Sequence, residues 1–277
     1  MYAYIFSGQG EQNEKIEKKL YENYKESKRI FDISNKILKI NIINDIKKKN
    51  IHQIGIFINS ILKYKKKKYK SSMIAGHSLG ELSALVCNKN ISFEDGLKLI
   101  SKRIKYMEED SRKNPAKMIA IIGLKKNKIK FICENYNAKI SNYNSPEEII
   151  ISIKEEEVKS FYKEIKKEKP KKIILINTKG GFHCDFMKNA KKKLEKEIKK
   201  ISFKKGICPI YQNVNGKKNE IPEIIKKNII NQMNNPVRWI KTIKNMTKDG
   251  VKFFIECGDK KILEKFIKKT NNKIAYL

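Results

Sequence analysis

Ser72-Met73-Ile74-Ala75-Gly76-His77-Ser78-Leu79-Gly80-Glu81 is the stretch that decides the fold. The short apolar run Ser72 to Ala75 reads as a buried strand, and helix-forming residues continue from Glu81 to Cys87. Between them Gly76-His77-Ser78-Leu79-Gly80 satisfies GxSxG, in which small flanking residues let the backbone turn sharply enough to expose a serine hydroxyl at a helix N-terminus. Strand, sharp turn and helix are the context this pattern needs. Without them it is common by chance, and Ser78 would do no more than cap a helix.

Upstream, Tyr2 to Phe6 reads as another buried strand, ended by the tight loop Ser7-Gly8-Gln9-Gly10. Apolar residues at helical spacing follow, at Ile16, Leu20, Tyr24, Ile30, Ile33, Ile37 and Leu38, and again from Ile51 to Leu62. Downstream, Ser92-Phe93-Glu94-Asp95 offers an N-cap with acidic residues in the first turn. Leu97, Ile100, Ile104 and Met107 mark the buried face of the helix it opens. From Lys117 the rhythm changes. A strand is expected over 118–122, a helix over 128–136, a strand over 138–143, a turn at Asn144-Ser145-Pro146, a strand over 148–153, a helix over 155–167 and a strand over 172–177. That order, βαββαβ, is the ferredoxin-like motif, so residues 117–179 are expected to form a small insert in a larger α/β body. A helix from near Asp185, a strand over 209–213, helices over 222–232 and 237–248, a strand over 252–256 and a final helix complete the expectation.

The 277 residues are 40% hydrophobic with 12 Phe and 12 Tyr, enough to bury a core, and this excludes a disordered or fibrous chain. The net charge of +33 comes almost entirely from lysine, since Arg29, Arg103, Arg112 and Arg238 are the only arginines. Lysines spread over every segment describe solvated faces rather than one reading surface, and no nucleic-acid motif accompanies them, so no nucleic-acid partner is expected. Abundant Lys, Ile and Asn suggest the drift of an AT-rich bacterial genome. No apolar run approaches the roughly 18–20 residues that span a bilayer. Met1 leads into the first strand without a basic n-region or cleavage site, so no membrane span and a cytoplasmic location are expected. Cys87, Cys133, Cys184, Cys208 and Cys257 are scattered, odd in number and without a CxxC pair, so neither disulfides nor a metal site is expected.

A serine hydroxyl is a weak nucleophile until a base takes its proton. Only three histidines exist. His52 lies in an amphipathic stretch, and His77 is held in the elbow with its ring expected to point away from Ser78. His183, after Gly180-Gly181-Phe182, is the remaining candidate. Asp95, Asp110, Asp185, Asp249 and Asp259 present no motif for a triad acid. A Ser-His dyad is therefore open, with a backbone carbonyl or an amide side chain holding the imidazole. Arg103 escaped the drift to lysine, and its planar fork suits bidentate capture of a carboxylate. The plainer alternative is a surface ion pair with Glu108 or another acid.

Taken together, these segments resemble the malonyl-CoA:acyl carrier protein transacylase family. Phe6-Ser7-Gly8-Gln9-Gly10-Glu11-Gln12 is similar to its FPGQGSQ opening, and Ala75 to Glu81 reproduces its AGHSLGE elbow. Ser92-Phe93-Glu94-Asp95-Gly96-Leu97 leading to Arg103 and Met107 follows its SFEDAL…R…M helix. Asn142-Tyr143-Asn144-Ser145-Pro146 resembles its NxNSP turn, Phe182-His183 its FH pair, Asn235 to Trp239 its NPVRW segment, and Phe254 to Gly258 its FxEVG strand. The resemblance implies Ser78 as nucleophile and His183 as base, oriented by the backbone carbonyl of Gln232. It implies an oxyanion hole from the N–H groups of Gln9 and Leu79, and Arg103 on the malonyl carboxylate. Phe182 would favour malonyl over methylmalonyl, and Asn142 and Asn144 would face the cleft near the acyl chain or pantetheine arm. The implied substrates are malonyl-CoA and a phosphopantetheinylated, acidic acyl carrier protein, used by a monomer without a cofactor. The chain departs from the family pattern at Ser7, Glu11, Ile54, Glu148, Ile153 and Gly258-Asp259-Lys260-Lys261, and its stretch between Gln9 and Ser78 is short. Glu148 is the departure most able to repel malonate.

The expected fold is thus α/β: a large α/β-hydrolase-like domain with a parallel sheet, residues 1–116 and 180–277, carrying a ferredoxin-like insert, residues 117–179. Two rival functions use the same residues. A serine hydrolase or thioesterase would release the acyl group to water, and a decayed scaffold would be a non-catalytic, lysine-rich binding protein.

Overall fold

The computed structural model describes residues 1–8, 10, 21–22, 25–45, 49–178, 180–270 and 275–276. Strand β1 (Tyr2–Phe6) is apolar throughout because it is covered on both faces and flanked on both sides, as parallel strands are. Its neighbours are β2 (Met73–Gly76) and β9 (Phe253–Cys257). The sheet continues through β7 (Ile210–Tyr211) and β8 (Lys218–Asn219) on one side and β10 (Ala275–Tyr276) on the other. Its order is β10-β9-β1-β2-β7-β8, and only β8 runs antiparallel. Phe6 stands opposite both Gly76 and Cys257, so the chain leaves β1, β2 and β9 at one edge. In a parallel sheet that carboxyl edge is where loops converge on ligands.

Helices α1 (Lys25–Leu38), α2 (Lys49–Lys65), α3 (Leu79–Cys87), α4 (Phe93–Lys113), α7 (Lys188–Lys199) and α8 (Pro222–Gln232) pack on one face around Phe6, Phe57, Leu85 and Ile100. Helices α9 (Trp239–Lys248) and α10 (Ile262–Thr270) cover the other, around Trp239, Ile243 and Ile267. Ser92 caps α4 by accepting from Asp95 N at 3.0 Å, as its sequence suggests. The buried stripe of α4, Leu97, Ile100, Ile104 and Met107, carries Arg103 inward with it.

A second sheet of four antiparallel strands, in the order β4-β5-β3-β6, comprises β3 (Ala116–Ile122), β4 (Lys139–Ser145), β5 (Glu148–Lys154) and β6 (Lys172–Ile176). Helix α5 (Lys126–Asn135) follows β3, and α6 (Val158–Lys167) follows β5 after a 3-10 turn at Glu155–Glu157. The two helices cover one face with their own apolar cluster, centred on Ile121, Ile151 and Phe161. The opposite face, with Met118, Ala120 and Ile150, looks toward Phe182. The sheets are joined by backbone bonds from Tyr143 N to Val237 O (2.8 Å) and from Val237 N to Ser141 O (2.9 Å).

Several element bounds differ from expectation for identifiable reasons. The helix expected from Val237 begins at Trp239, because Val237 spends both backbone groups on β4. The strand expected over 209–213 stops at Tyr211, because Gln212 N turns to Lys217 O and Asn213 N to the Glu81 carboxylate. Asn144 and Ser145, expected in a turn, end β4 instead. Of the first expected helix, Ile16, Leu20 and Tyr24 lie outside the described residues. Among the described residues no helix is long and apolar enough to cross a membrane, and no group of ligating side chains could hold a metal.

Candidate active site

The elbow forms because three close approaches exclude side chains. A Cβ on Gly80 would stand 2.1 Å from Phe6 O, one on Gly76 2.1 Å from Gly80 C, and one on Gly8 2.6 Å from His77 O. Ser78 itself sits at φ 53°, ψ −108°, a conformation that costs a non-glycine residue about 1–3 kcal/mol. Its surroundings hold it there. Ser78 N donates to Asn213 Oδ1 at 2.7 Å, Asn213 Nδ2 donates to Gly76 O at 2.6 Å, and His77 N donates to Phe6 O at 2.9 Å.

The hydroxyl so displayed meets His183, which lies in the segment that follows β6. Ser78 Oγ lies 2.6 Å from His183 Nε2, and His183 Nδ1 lies 3.0 Å from the Gln232 carbonyl oxygen. A carbonyl can only accept, so Nδ1 carries the proton and Nε2 is left as the acceptor for the serine O–H. Burial, helped by the nearby Arg103 charge, pushes the His183 imidazole down to about 3, while its bond to Gln232 pushes the other way. None of the aspartates considered for a triad reaches it. Asp110 accepts from Ala190 N and Asp259 pairs with Lys63.

Arg103 is buried, 3% exposed, and makes no ion pair with Glu108 among the described residues. Its Nη2 donates to Ser78 Oγ at 3.1 Å and its Nη1 to Gln53 Oε1 at 3.3 Å, and its Nε has no partner. Burial lowers the guanidinium to about 10 and the Glu81 charge opposes this, so the group stays cationic at neutral pH. Glu81 lies in the first turn of α3, wholly buried, and burial lifts its carboxyl to about 7 against the hydrogen bonds that Gln232, Asn213 and Gln212 donate to it.

A cavity of about 250 Å³ opens onto Ser78 and His183, walled by Met118, Asn142, Ile150, Ile176 and Phe182. It adjoins a larger one of about 410 Å³ that shares Asn177, Thr178 and Phe182 and reaches Gln53, Arg112 and Lys117. Two sheets therefore make the cleft, with Ser78 at the edge of one and Met118, Ile150 and Ile176 on the other.

Of the residues expected here, Ser78, His183, Gln232, Arg103, Phe182 and Asn142 come together. Asn142 Oδ1 is buried without a partner. Leu79 opens α3, where the first N–H groups have no carbonyl within the helix to bond. Gln9, expected in the oxyanion hole, lies outside the described residues. Asn144 is a correction: its Oδ1 accepts from His77 Nε2 at 2.9 Å and its Nδ2 donates to Glu148 Oε1 at 2.9 Å, so it joins the elbow to β5 rather than lining the cleft. Glu148 is thereby turned to Asn144 and does not line the cavity. His77 is held away from Ser78 as expected, its ring edge-on to Trp239 and its imidazole pushed down to about 4 by burial.

Sequence reading missed Gln53, Glu81, Gln212 and Asn213 as members of the site. The one available signal was the polar run Gln212-Asn213 at the carboxyl end of a strand beside the elbow.

Comparison with known proteins places this geometry among characterised relatives. The family model described as "Acyl transferase domain" matches residues 53–275. The malonyl CoA-acyl carrier protein transacylase of Buchnera aphidicola subsp. Schizaphis graminum is 33% identical over 289 residues, covering 98% of this chain and 93% of the relative. The solved structure of the malonyl CoA-acyl carrier protein transacylase from Coxiella burnetii superposes with a TM-score of 0.93 at 29% identity, covering 100% of this chain and 92% of that one. A type II PKS acyl-carrier protein in complex with its malonyl-transacylase also matches, with a TM-score of 0.93 at 27% identity, covering 99% and 94%.

Proposed function

The chain belongs to the acyl transferase domain family, and from that premise we propose that it moves the malonyl group of malonyl-CoA onto the phosphopantetheine thiol of acyl carrier protein, supplying fatty-acid synthesis. The observation that carries the substrate choice is Arg103. It is a buried guanidinium bonded to Ser78 Oγ, with no carboxylate bonded to it among the described residues. A dicarboxylic acyl group supplies the missing anion, and its second carboxyl bonds to a planar fork.

In the proposed mechanism Ser78 Oγ attacks the thioester carbon while its proton passes to His183 Nε2. The imidazolium that forms is held by the Gln232 carbonyl. N–H groups of Leu79 and Gln9 receive the oxyanion, a contribution of several kcal/mol where such donors are pre-aimed. Collapse breaks the C–S bond, and the leaving CoA sulfur takes the proton back from His183. The carrier thiol then gives its proton to His183 and attacks the malonyl-serine ester, and Ser78 recovers its proton as it leaves. The malonyl carboxylate offsets the Arg103 charge, which after burial is the next largest cause that holds His183 low, so the base strengthens when the correct substrate binds.

In this reading Phe182 fills the space a methyl branch would need, a discrimination of about 1–3 kcal/mol. Asn142 offers its unpartnered amide to the acyl or pantetheine arm. The chemistry consists of proton transfers and acyl exchange and requires no cofactor. We read residues 1–116 and 180–277 as an α/β-hydrolase-like domain and 117–179 as a ferredoxin-like insert. The separate apolar clusters of the two sheets support that division. A cytoplasmic monomer acting on an acidic carrier completes the proposal, with lysines such as Lys117 near the cleft able to speed the encounter.

Intact-protein mass spectrometry after brief mixing with malonyl-CoA, followed by a chase with acyl carrier protein, tests the proposal. A malonyl adduct on the wild type that is absent from Ser78→Ala and passes to the carrier is the expected result. Adduct lost to water and never to the carrier would mean a hydrolase, and no adduct on folded protein would remove the enzyme reading.

A further inference from the structure

Glu81 is a buried carboxylate to which the chemistry above gives no task. It stands three residues after Ser78 in the first turn of α3, 0% exposed, with Gln212, Asn213 and Gln232 donating hydrogen bonds to it. Its Oε2 accepts from Gln232 Nε2 at 2.8 Å and from Asn213 N at 3.1 Å, and its Oε1 accepts from Gln212 Nε2 at 3.2 Å. Two of these donors lead directly to the reacting pair. Gln232 presents the carbonyl that bonds to His183 Nδ1, and its side chain also donates to Ser78 O at 3.0 Å. Asn213 holds the Ser78 amide through Oδ1.

We propose that Glu81 is the positioning residue of the Ser78–His183 pair, fixing through Gln232 the carbonyl that orients the imidazole and through Asn213 the backbone of the nucleophile. This rests on the acyl-transfer reading of Ser78 and His183 given above. The role that an aspartate plays in a triad by touching the imidazole is here moved one residue outward. The acid holds the residue whose carbonyl touches it.

The chemistry at this position requires an acid. Three donors converge on two oxygens, and above about pH 7, where the carboxyl is ionised, it is all acceptor with room for each of them. A glutamine of the same shape turns an N–H2 toward at least one of the three donors. The mismatch is then relieved by moving Gln232, Asn213 or Gln212, whose side-chain oxygen is already taken by Asn219 and Asn228 and whose backbone runs directly into Asn213, so each movement bears on an atom that positions a reacting group. Displacement of a catalytic group by about 1 Å costs on the order of 100-fold in rate.

The test measures, on the alkaline side of the Glu81 titration at about 7, the single-turnover rate constant of malonyl-Ser78 formation and the malonyl-CoA dissociation constant. It uses full-length wild type, Glu81→Gln, Gln232→Met and the double variant, with thermal unfolding to establish that each is folded. Glu81→Gln is expected to acylate about 100-fold more slowly with the dissociation constant unchanged. Gln232→Met keeps its backbone carbonyl but loses the side-chain link, so the double variant is expected to be little slower than the slower single variant. A folded Glu81→Gln that acylates at the wild-type rate overturns the proposal, as does a double variant whose loss is the product of the two single losses. Should Glu81→Gln not fold, Glu81→Asp, which keeps the charge but withdraws it by one methylene, is measured in its place: slower acylation at unchanged dissociation constant supports the proposal, and a wild-type rate overturns it. Wild type that forms no adduct would instead remove the acyl-transfer reading, a failure visible before any variant is compared.

Discussion

Arg103 Nη2 donates to Ser78 Oγ at 3.1 Å, so the nucleophile and the buried arginine share a hydrogen bond before any substrate arrives. Ser78 Oγ is thus held between an acceptor, His183 Nε2, and a donor, Arg103. An incoming carboxylate competes for the same guanidinium, which ties acyl-group recognition to the state of the nucleophile.

Replacing Arg103 with Ala is expected to lower kcat/KM for malonyl-CoA by about 10- to 100-fold more than for acetyl-CoA, the loss of a charge-assisted hydrogen bond of about 1.5–3 kcal/mol. Arg103→Lys should recover only part of this, because a point charge cannot reproduce the fork. Steady-state kinetics with both acyl-CoAs check it, and equal losses for the two substrates would make Arg103 a structural residue.

The two buried imidazoles should be neutral at pH 6 in opposite tautomers. His183 must carry its proton on Nδ1, because the Gln232 carbonyl accepts there, and His77 on Nε2, because Asn144 Oδ1 accepts there. Burial holds them at about 3 and about 4. Ring-nitrogen NMR between pH 5 and 8, assigned by single His→Asn variants, reads this directly. Titration of either ring near its ordinary value of about 6.5 would contradict the site as described.

Glu81 ties stability to pH with a definite sign. Its folded carboxyl titrates at about 7 against an ordinary 4.5, so between these values the folded state keeps a proton that the unfolded state has lost. Its contribution to stability therefore falls as pH rises from about 4.5 to about 7. Urea unfolding of wild type and Glu81→Gln at both ends of that window is expected to show wild type losing stability relative to the variant on going to higher pH. The reverse change would mean a carboxyl that is ionised more readily in the fold than out of it. His183 and His77 act oppositely: with folded values below 6.5, their contribution is lost as pH falls from 6.5 toward 3 for His183 and toward 4 for His77.

Glu148→Gln is expected to leave malonyl-CoA turnover near the wild-type level. The carboxylate accepts from Asn144 Nδ2, a bond that a glutamine oxygen can also accept, and it does not wall the cavity. A large gain in kcat/KM in the variant would show that the charge reaches the malonyl group after all.

Much of the local structure was legible because it rests on short-range rules. The elbow follows from Gly76, Ser78 and Gly80, the α4 cap from Ser92 and Asp95, and the inward face of α4 from the spacing of Leu97, Ile100 and Ile104. Asn144 was misplaced for a reason local to β4. Two positions apart, Asn142 and Asn144 would share one face of a regular strand, but the register of β4 against β5 shifts between Tyr143 and Ser145, and at that irregularity Asn144 turns to His77 instead of the cleft. Element ends were misjudged where the backbone serves a distant partner, as at Val237 and Asn213.

The sequence by itself determined the α/β character, singled out Ser78 as the candidate nucleophile and, through the scarcity of histidine and arginine, narrowed which residues could assist it. Apolar periodicity and glycine sterics act over a few residues and are written locally. Only the tertiary structure decided that Arg103 is buried against Ser78 rather than paired on the surface, that a carbonyl rather than an acid faces His183, and that Glu81 gathers the residues behind both. Those are contacts between residues 25 to 151 positions apart. Which donor meets which acceptor across such distances is set by the register of β1, β2 and β7 and by the seating of α8 against them, and no local pattern encodes it.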